Sequence, residues 1–388
     1  LQLGQHESAA TGFEQLIAAE PSSPMLPSWE LRLATARYLN GQYDEVVRLT
    51  SQSLTQQKDA MIQAEAWFLQ GSSQLKLSKF PEAIQALLKS NQTSATWTQA
   101  DEALLMLAEA YTASNMKDQA KSTLERLLKE FPKSRFKSQV EFRLGQLSAS
   151  SNDYAKALSY YDSVLSSTKD KSLVDYATYG KAFVLIQQDQ FESASKLLQP
   201  IAIPSRNDGV GIEARIAMSI CQRQLNRSAD AITLLKQLQQ EKLSEDQANN
   251  VAYELGLAQV ASKQIDQAIE TFQALIQASP QFPLLDKVYY ELAWAQKANG
   301  DTAKANEAFR QLTTTYPNSS LAAEAFFHVG QSEYENSKYD RAIKAYTVAA
   351  TRSVDVALLE KSTYKLGWAY FQQQQYDKAI EQFAKQTK

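Results

Sequence analysis

The chain has 388 residues, 44% of them apolar, and its 40 basic and 43 acidic side chains give a net charge of −3. No long run of either sign occurs, which argues against nucleic acid or an anionic membrane as the main partner. One cysteine, Cys221, excludes an intrachain disulfide and a cysteine-rich metal centre, and no apolar stretch approaches the length of a membrane span.

Residues 1–21 read as a lone helix ending at Glu20-Pro21, the second half of a hairpin whose first half would precede Leu1. The first residues lack the basic-then-apolar pattern of a signal peptide. Residues 22–27, with Pro24 and Pro27, read as a stiff linker, and Trp29 opens the first complete helical pair. Five helix–turn–helix units follow, to about residue 201. The junction that comes next holds Pro200, Pro204, Gly209 and Gly211, which forbid a continuous helix. It reads as an ordinary inter-repeat loop, with a hinge between two halves as the alternative. Residues 211–388 supply the remaining units, increasingly rich in aromatic residues, so that 1–388 is one array made of 1–21, 28–201 and 211–388. Neither end shows a polar capping helix, and the chain reads as a piece of a longer protein.

A single period organises these elements. Stepping back 37 residues at a time from Ala379 gives Ala342, Ala305, Ala268, Ala231, Ala194, Ala157, Ala120, Ala83, Val46 and Ala9. Twelve residues before these stand Ala34, Gly71, Ala108, Gly145, Ala182, Ser219, Gly256, Ala293, Gly330 and Gly367, small enough for two helices to approach closely. Four residues after each alanine the same face carries a large side chain, from Phe13 and Leu87 to Tyr346 and Phe383, with Thr50 the exception. Five residues before it comes the turn, occupied by Gly, Asn, Asp or Ser except at Lys263 and Gln374. Gly and Asn accept the left-handed conformation that ends a helix, so turn chemistry and helical period agree.

These residues resemble the tetratricopeptide repeat, in the order Leu-Gly, Tyr, Ala, Phe/Tyr, Pro. The nearest matches are Leu366-Gly367, Tyr370, Ala379 and Phe383, and Leu107-Ala108, Tyr111, Ala120, Leu124 and Pro132. The resemblance covers almost the whole chain and implies an all-α, right-handed superhelical solenoid of about ten antiparallel helical hairpins. The family repeat is about 34 residues long, so this one is extended. Longer repeats with an aromatic-Pro-x-Ser junction, here Phe131-Pro132-Lys133-Ser134 and Tyr316-Pro317-Asn318-Ser319, resemble those of bacterial cell-envelope members such as the periplasmic Tol–Pal coordinator. That likeness implies the periplasm or envelope rather than the cytoplasm.

No constellation for catalysis, cofactor or metal emerges. Gly209-Val-Gly211 matches part of a dinucleotide fingerprint, which requires a preceding strand, and both neighbours here read as helices. His6 and His328 lie too far apart to share a metal, and His328, beside Phe327, reads as a packing or surface residue. Cys221 reads as a small buried residue, and Gln372–Gln375 as a solvated turn.

One stripe remains. On each first helix, the residue three before the small position and the residue just after it share a face. From Tyr179 onward that face turns aromatic, and the candidate groove residues are Tyr179, Phe183, Tyr253, Tyr290, Trp294, Phe327, Gln331, Tyr364, Trp368 and Phe371. Family resemblance places this face on the inner wall, while the competing reading is that the rings pack on the next helix. Trp294 and Trp368 are the two expected to be exposed. The Lys/Asn carboxylate clamp of chaperone-binding family members has no match at these positions. The chain therefore reads as a non-catalytic scaffold for other proteins or peptides, taking an extended peptide or a helix, with no cofactor and no membrane span. The rival readings are the repeat arm of a larger enzyme or secretion-associated protein, and a self-assembling scaffold.

Overall fold

At all eleven turn positions of the 37-residue period the backbone is left-handed, with φ between +57° and +83°, and no other described residue has positive φ. Lys263 (+60°) and Gln374 (+60°) adopt it as fully as Gly300 (+83°) does. Each first helix closes through the same pair of bonds, seen where Asn115 N–H donates to Thr112 O and Met116 N–H to Tyr111 O at 3.0 and 2.8 Å. This is the hydrogen-bond pattern of a helix end closed by a left-handed residue. The turn is a backbone requirement met by whichever residue stands there.

The computed structural model describes residues 4–53, 57–94 and 97–385, and among them finds only helices and their connections. The chain divides into two compact units, Leu1–Val184 and Leu185–Lys388. The first holds α1 (His6–Ala19), α2 (Leu26–Leu39), α3 (Tyr43–Ser53), α4 (Ala60–Lys76), α5 (Phe80–Thr93), α6 (Ala100–Ala113), α7 (Lys117–Glu130), α8 (Lys137–Ser150), α9 (Tyr154–Ser167) and most of α10 (Lys171–Gln187). The second holds α11 (Phe191–Leu198), α12 (Gly209–Gln224), α13 (Ser228–Leu238), α14 (Glu245–Ala261), α15 (Ile265–Ala278), α16 (Leu285–Ala298), α17 (Thr302–Thr315), α18 (Ala322–Glu335), α19 (Tyr339–Arg352), α20 (Val356–Gln372) and α21 (Tyr376–Ala384). Within each unit successive helices pack in order, and first helices also touch first helices, as α2 does α4 and α12 does α14.

The period sets the core. From Val46 to Ala379 the repeat-marking residues are at most 2% exposed, and Ala9 alone is half-buried, its neighbour Ala10 taking the buried place. Beside them the large residues Leu87, Leu124, Leu198, Leu235, Phe272, Phe309 and Tyr346 are fully enclosed. Junctions between repeats are pinned by side chains. Ser134 Oγ donates to Asp101 Oδ2 and Ser319 Oγ to Asp286 Oδ2, both at 2.6 Å, and each serine also accepts a backbone N–H two residues on.

The junction at residues 199–211 is an ordered connection. Asp208 caps α12 by accepting from Gly211 N–H at 2.8 Å, so Gly209 and Gly211 form the first helical turn rather than a loop. A side chain on Gly211 would press within 2.6 Å of Arg206 O. Arg215, fully buried, reaches back to Arg206 O at 3.1 Å and is held by both oxygens of Glu241 at 2.5 and 2.7 Å.

Candidate functional site on the first-helix face

The first helices present the candidate residues unevenly. In the first unit Tyr179 is half-buried and Phe183 is 43% exposed. The same unit holds a cleft of about 380 Å³ between α8 and α10, where Phe142 and Tyr176 meet at 6.3 Å among Gln139, Arg143, Gln146 and Asp170. Its lining mixes polar and aromatic side chains.

In the second unit Tyr253 is 9% exposed and packs on Phe272 and Phe282, so it belongs to the core and offers no face to a ligand. Tyr290 is half-buried and donates its hydroxyl to Glu324 at 2.9 Å. Burial together with that carboxylate pushes the Tyr290 phenol up to about 12. Phe327 lies edge-on to His328, and the half-buried Gln331 bonds Glu335 on its own helix.

The two tryptophans differ, contrary to the paired exposure expected of them. Trp294 is half-buried, edge-on to Phe309 at 5.9 Å and to His328 at 5.1 Å, with the Lys297 ammonium 4.8 Å above its ring. The cover comes from the next first helix, whose His328 stacks on Phe309 at 4.7 Å and 19°. Enclosure lowers His328 to about 4, helped by the charge of Lys297, so it is a neutral packing group at ordinary pH. Trp368 is 36% exposed and meets three rings, Phe371 at 5.6 Å, Phe383 at 5.8 Å and Tyr364 at 6.2 Å. Tyr364 and Phe371 are themselves 43% and 45% exposed, which leaves α20 with a continuous aromatic ridge.

Between these residues sit charges that the stripe did not disclose. Arg223 pairs with Glu254 at 3.0 Å, and both are largely enclosed. Burial raises Glu254 in spite of the arginine, and raises Glu291 on the next first helix as well. Both glutamates stand two residues before the small position, where Arg143, Ala217 and His328 stand elsewhere, so composition at that place gave no pattern to follow. Cys221 is buried in the packing, and desolvation pushes its thiol up to about 11. Among the described residues no group of three metal-ligating side chains is found, and no helix is long and apolar enough to cross a membrane.

Tetratricopeptide repeat models match residues 102–134 and 362–385, and a second such model matches 222–283 and 290–355. The chain is a tetratricopeptide repeat protein. No curated protein matches it in sequence. Among solved structures, a tetratricopeptide repeat protein from Parabacteroides merdae superposes with a TM-score of 0.53 at 16% identity, over 68% of this chain and 99% of that one. The apo quorum sensor NprR from B. thuringiensis gives 0.55 at 17% identity, over 78% and 91%. At such identities the likeness is one of fold. The tetratricopeptide hairpin accounts for what the site is made of: side chains held on rigid first helices.

Proposed function

We propose that this tetratricopeptide repeat protein is a non-catalytic interaction scaffold whose second unit binds an extended peptide or short helix of a partner on its first-helix face. The observation that carries the reading is the ridge Tyr364–Trp368–Phe371, in which the two outer rings each pack on Trp368 and all three keep more than a third of their surface in water. Aromatic side chains fixed by their neighbours lose little entropy on binding and are the usual anchors of an interface. The half-buried Tyr290 and Trp294 extend the same face by one further layer of aromatic surface. The aromatic-Pro-x-Ser junctions at Phe131 and Tyr316 support a place in a bacterial cell envelope for this role. Selection of random twelve-residue peptides on the purified chain, followed by amide exchange of the bound complex, tests the site. Protection should concentrate on α16, α18 and α20, and protection confined to the second helices would refute the assignment.

A further inference from the structure

In the second unit, the residue four after the small position of one first helix meets the residue two before the small position of the next. Arg223 of α12 meets Glu254 of α14 in this way, 31 positions along, with Arg223 Nη2 donating to Glu254 Oε2 at 3.0 Å. Lys297 of α16 stands in the same relation to His328 of α18, close enough for its charge to act on the ring. Between these two layers the relation joins Val260 of α14 to Glu291 of α16. The position that supplies a cation in the layers before and after supplies an isopropyl group here.

Glu291 is left without a counter-charge. Its carboxyl makes no hydrogen bond or ion pair among the described residues, and Arg223, already bonded to Glu254, acts on it only at a distance. Lys287, one turn before it on α16, acts on Glu254 instead. Enclosing a carboxylate without a positive partner destabilises its charged form. Glu141 Oε2 and Glu333 Oε2 are sealed in the interior, but neither oxygen of the half-buried Glu291 is, so a group from outside can reach it. Val260 is itself half-buried, and its side chain stops well short of where Arg223 carries its guanidinium in the layer before.

We propose that Glu291 selects the partner: an arginine side chain of the bound polypeptide sets its guanidinium on the Glu291 carboxylate and its methylenes along Val260. Given that α16, α18 and α20 form a binding face, on which this inference rests, the carboxylate adds a charge requirement that the aromatic ridge does not make. Two carboxylates share the one guanidinium of Arg223, so the seat favours a cation and repels an acidic segment. Arginine suits it better than lysine, because its planar fork matches a carboxylate and its stem covers an apolar neighbour. Of the first helices α18 alone separates α16 from α20, about 20 Å at ordinary helix spacing, and twelve extended residues span up to about 40 Å.

The probe is the set of twelve-residue peptides selected on the purified chain, each also made with citrulline for arginine, which keeps the shape and removes the charge. The tightest should carry an arginine, and citrulline there should weaken binding about tenfold or more to the native chain but less than about twofold to Glu291→Gln. Val260→Arg should weaken the arginine peptide by a similar factor, since the seat is then filled from within, and should leave the thermal midpoint unchanged or raised. Tight peptides without arginine, or a citrulline effect that Glu291→Gln does not remove, would overturn the proposal and leave the aromatic ridge standing. No selected peptide at all would remove both. Stabilisation by free arginine or spermidine that Glu291→Gln abolishes, with no citrulline effect, would assign the seat to a small amine and overturn it likewise.

Discussion

The ring of Phe272 fills the space that a side chain on Gly256 would need: a Cβ there would lie 2.3 Å from Phe272 Cε1. The same sixteen-residue relation links Gly145 with Tyr161, Gly330 with Tyr346, Gly367 with Phe383 and Gly71 with Leu87. Where the small residue is Ala or Ser, the partner is shorter, as in Ala108 with Leu124, Ala182 with Leu198 and Ser219 with Leu235. Glycine on one helix and an aromatic ring on the other form one volume-conserving unit. Gly71 with Leu87 and Ala293 with Phe309 depart from the rule, and in the second the ring is stacked on His328.

Gly256→Ala should therefore destabilise the chain by about 1–3 kcal/mol through overpacking. Phe272→Leu in the same chain should recover part of that loss, giving a coupling that thermal or urea unfolding of the single and double variants measures. Strict additivity would mean that the two residues do not share the space.

Lys263 and Gln374 hold the left-handed turn without glycine's freedom. A left-handed residue with a Cβ costs about 1–2 kcal/mol, partly offset by the looser unfolded chain that glycine brings. Lys263→Gly should then stabilise by about 0.5–1 kcal/mol in urea unfolding. Lys263→Ala, which keeps the Cβ, should not.

Arg215 and Glu241 form a buried pair that ties the 199–211 junction to α12 and the end of α13. The hydrogen bonds from Arg215 hold the Glu241 carboxyl below its ordinary value. Its contribution is thus present above the unfolded carboxylate range and fades as pH falls through the lowered folded value. Glu241→Gln should cost several kcal/mol, on the order of 3, by leaving the guanidinium uncompensated, whereas Arg215→Met with Glu241→Met should cost less than either single change.

His328 is shifted in the same direction for a different reason, because enclosure disfavours its charged form. Its folded value of about 4 lies below its ordinary 6.5, so the unfolded chain takes up the proton first. Stability should be complete well above pH 6.5 and decline as pH falls towards 4, by on the order of 3 kcal/mol from this group. His328→Phe should flatten the thermal midpoint across that window, and an unchanged slope would assign the acid sensitivity to other groups.

Much of the fold was legible because its determinants are local and repeated. Ala83 or Ala268 recurs at a fixed step since only a small side chain fits the helix crossing, and Ser78 or Asn115 since the turn demands one backbone conformation. The candidate site was less legible because exposure depends on what the next helix brings. Trp294 and Trp368 are equivalent in sequence, yet His328 covers one while the other keeps 36% of its surface exposed. Tyr253 stands in the stripe but turns into the core beside Phe282, a contact with the following junction that no single-helix pattern reveals. Arg215 depends on a partner in another segment, Glu241, so spacing along one helix could not show its role.

The binding face on the first helices of the second unit stands or falls with the affinity of a selected peptide for Trp368→Ala with Phe371→Ala. Both rings are more than a third exposed, so the thermal midpoint should hardly move, while truncating two central anchors should cost about 2 kcal/mol or more, over tenfold in affinity. Trp294→Ala is the control in which stability falls as well, because its ring is wedged between Phe309 and His328. Unchanged affinity in the double variant, or unfolding without a selective loss of binding, would contradict the account.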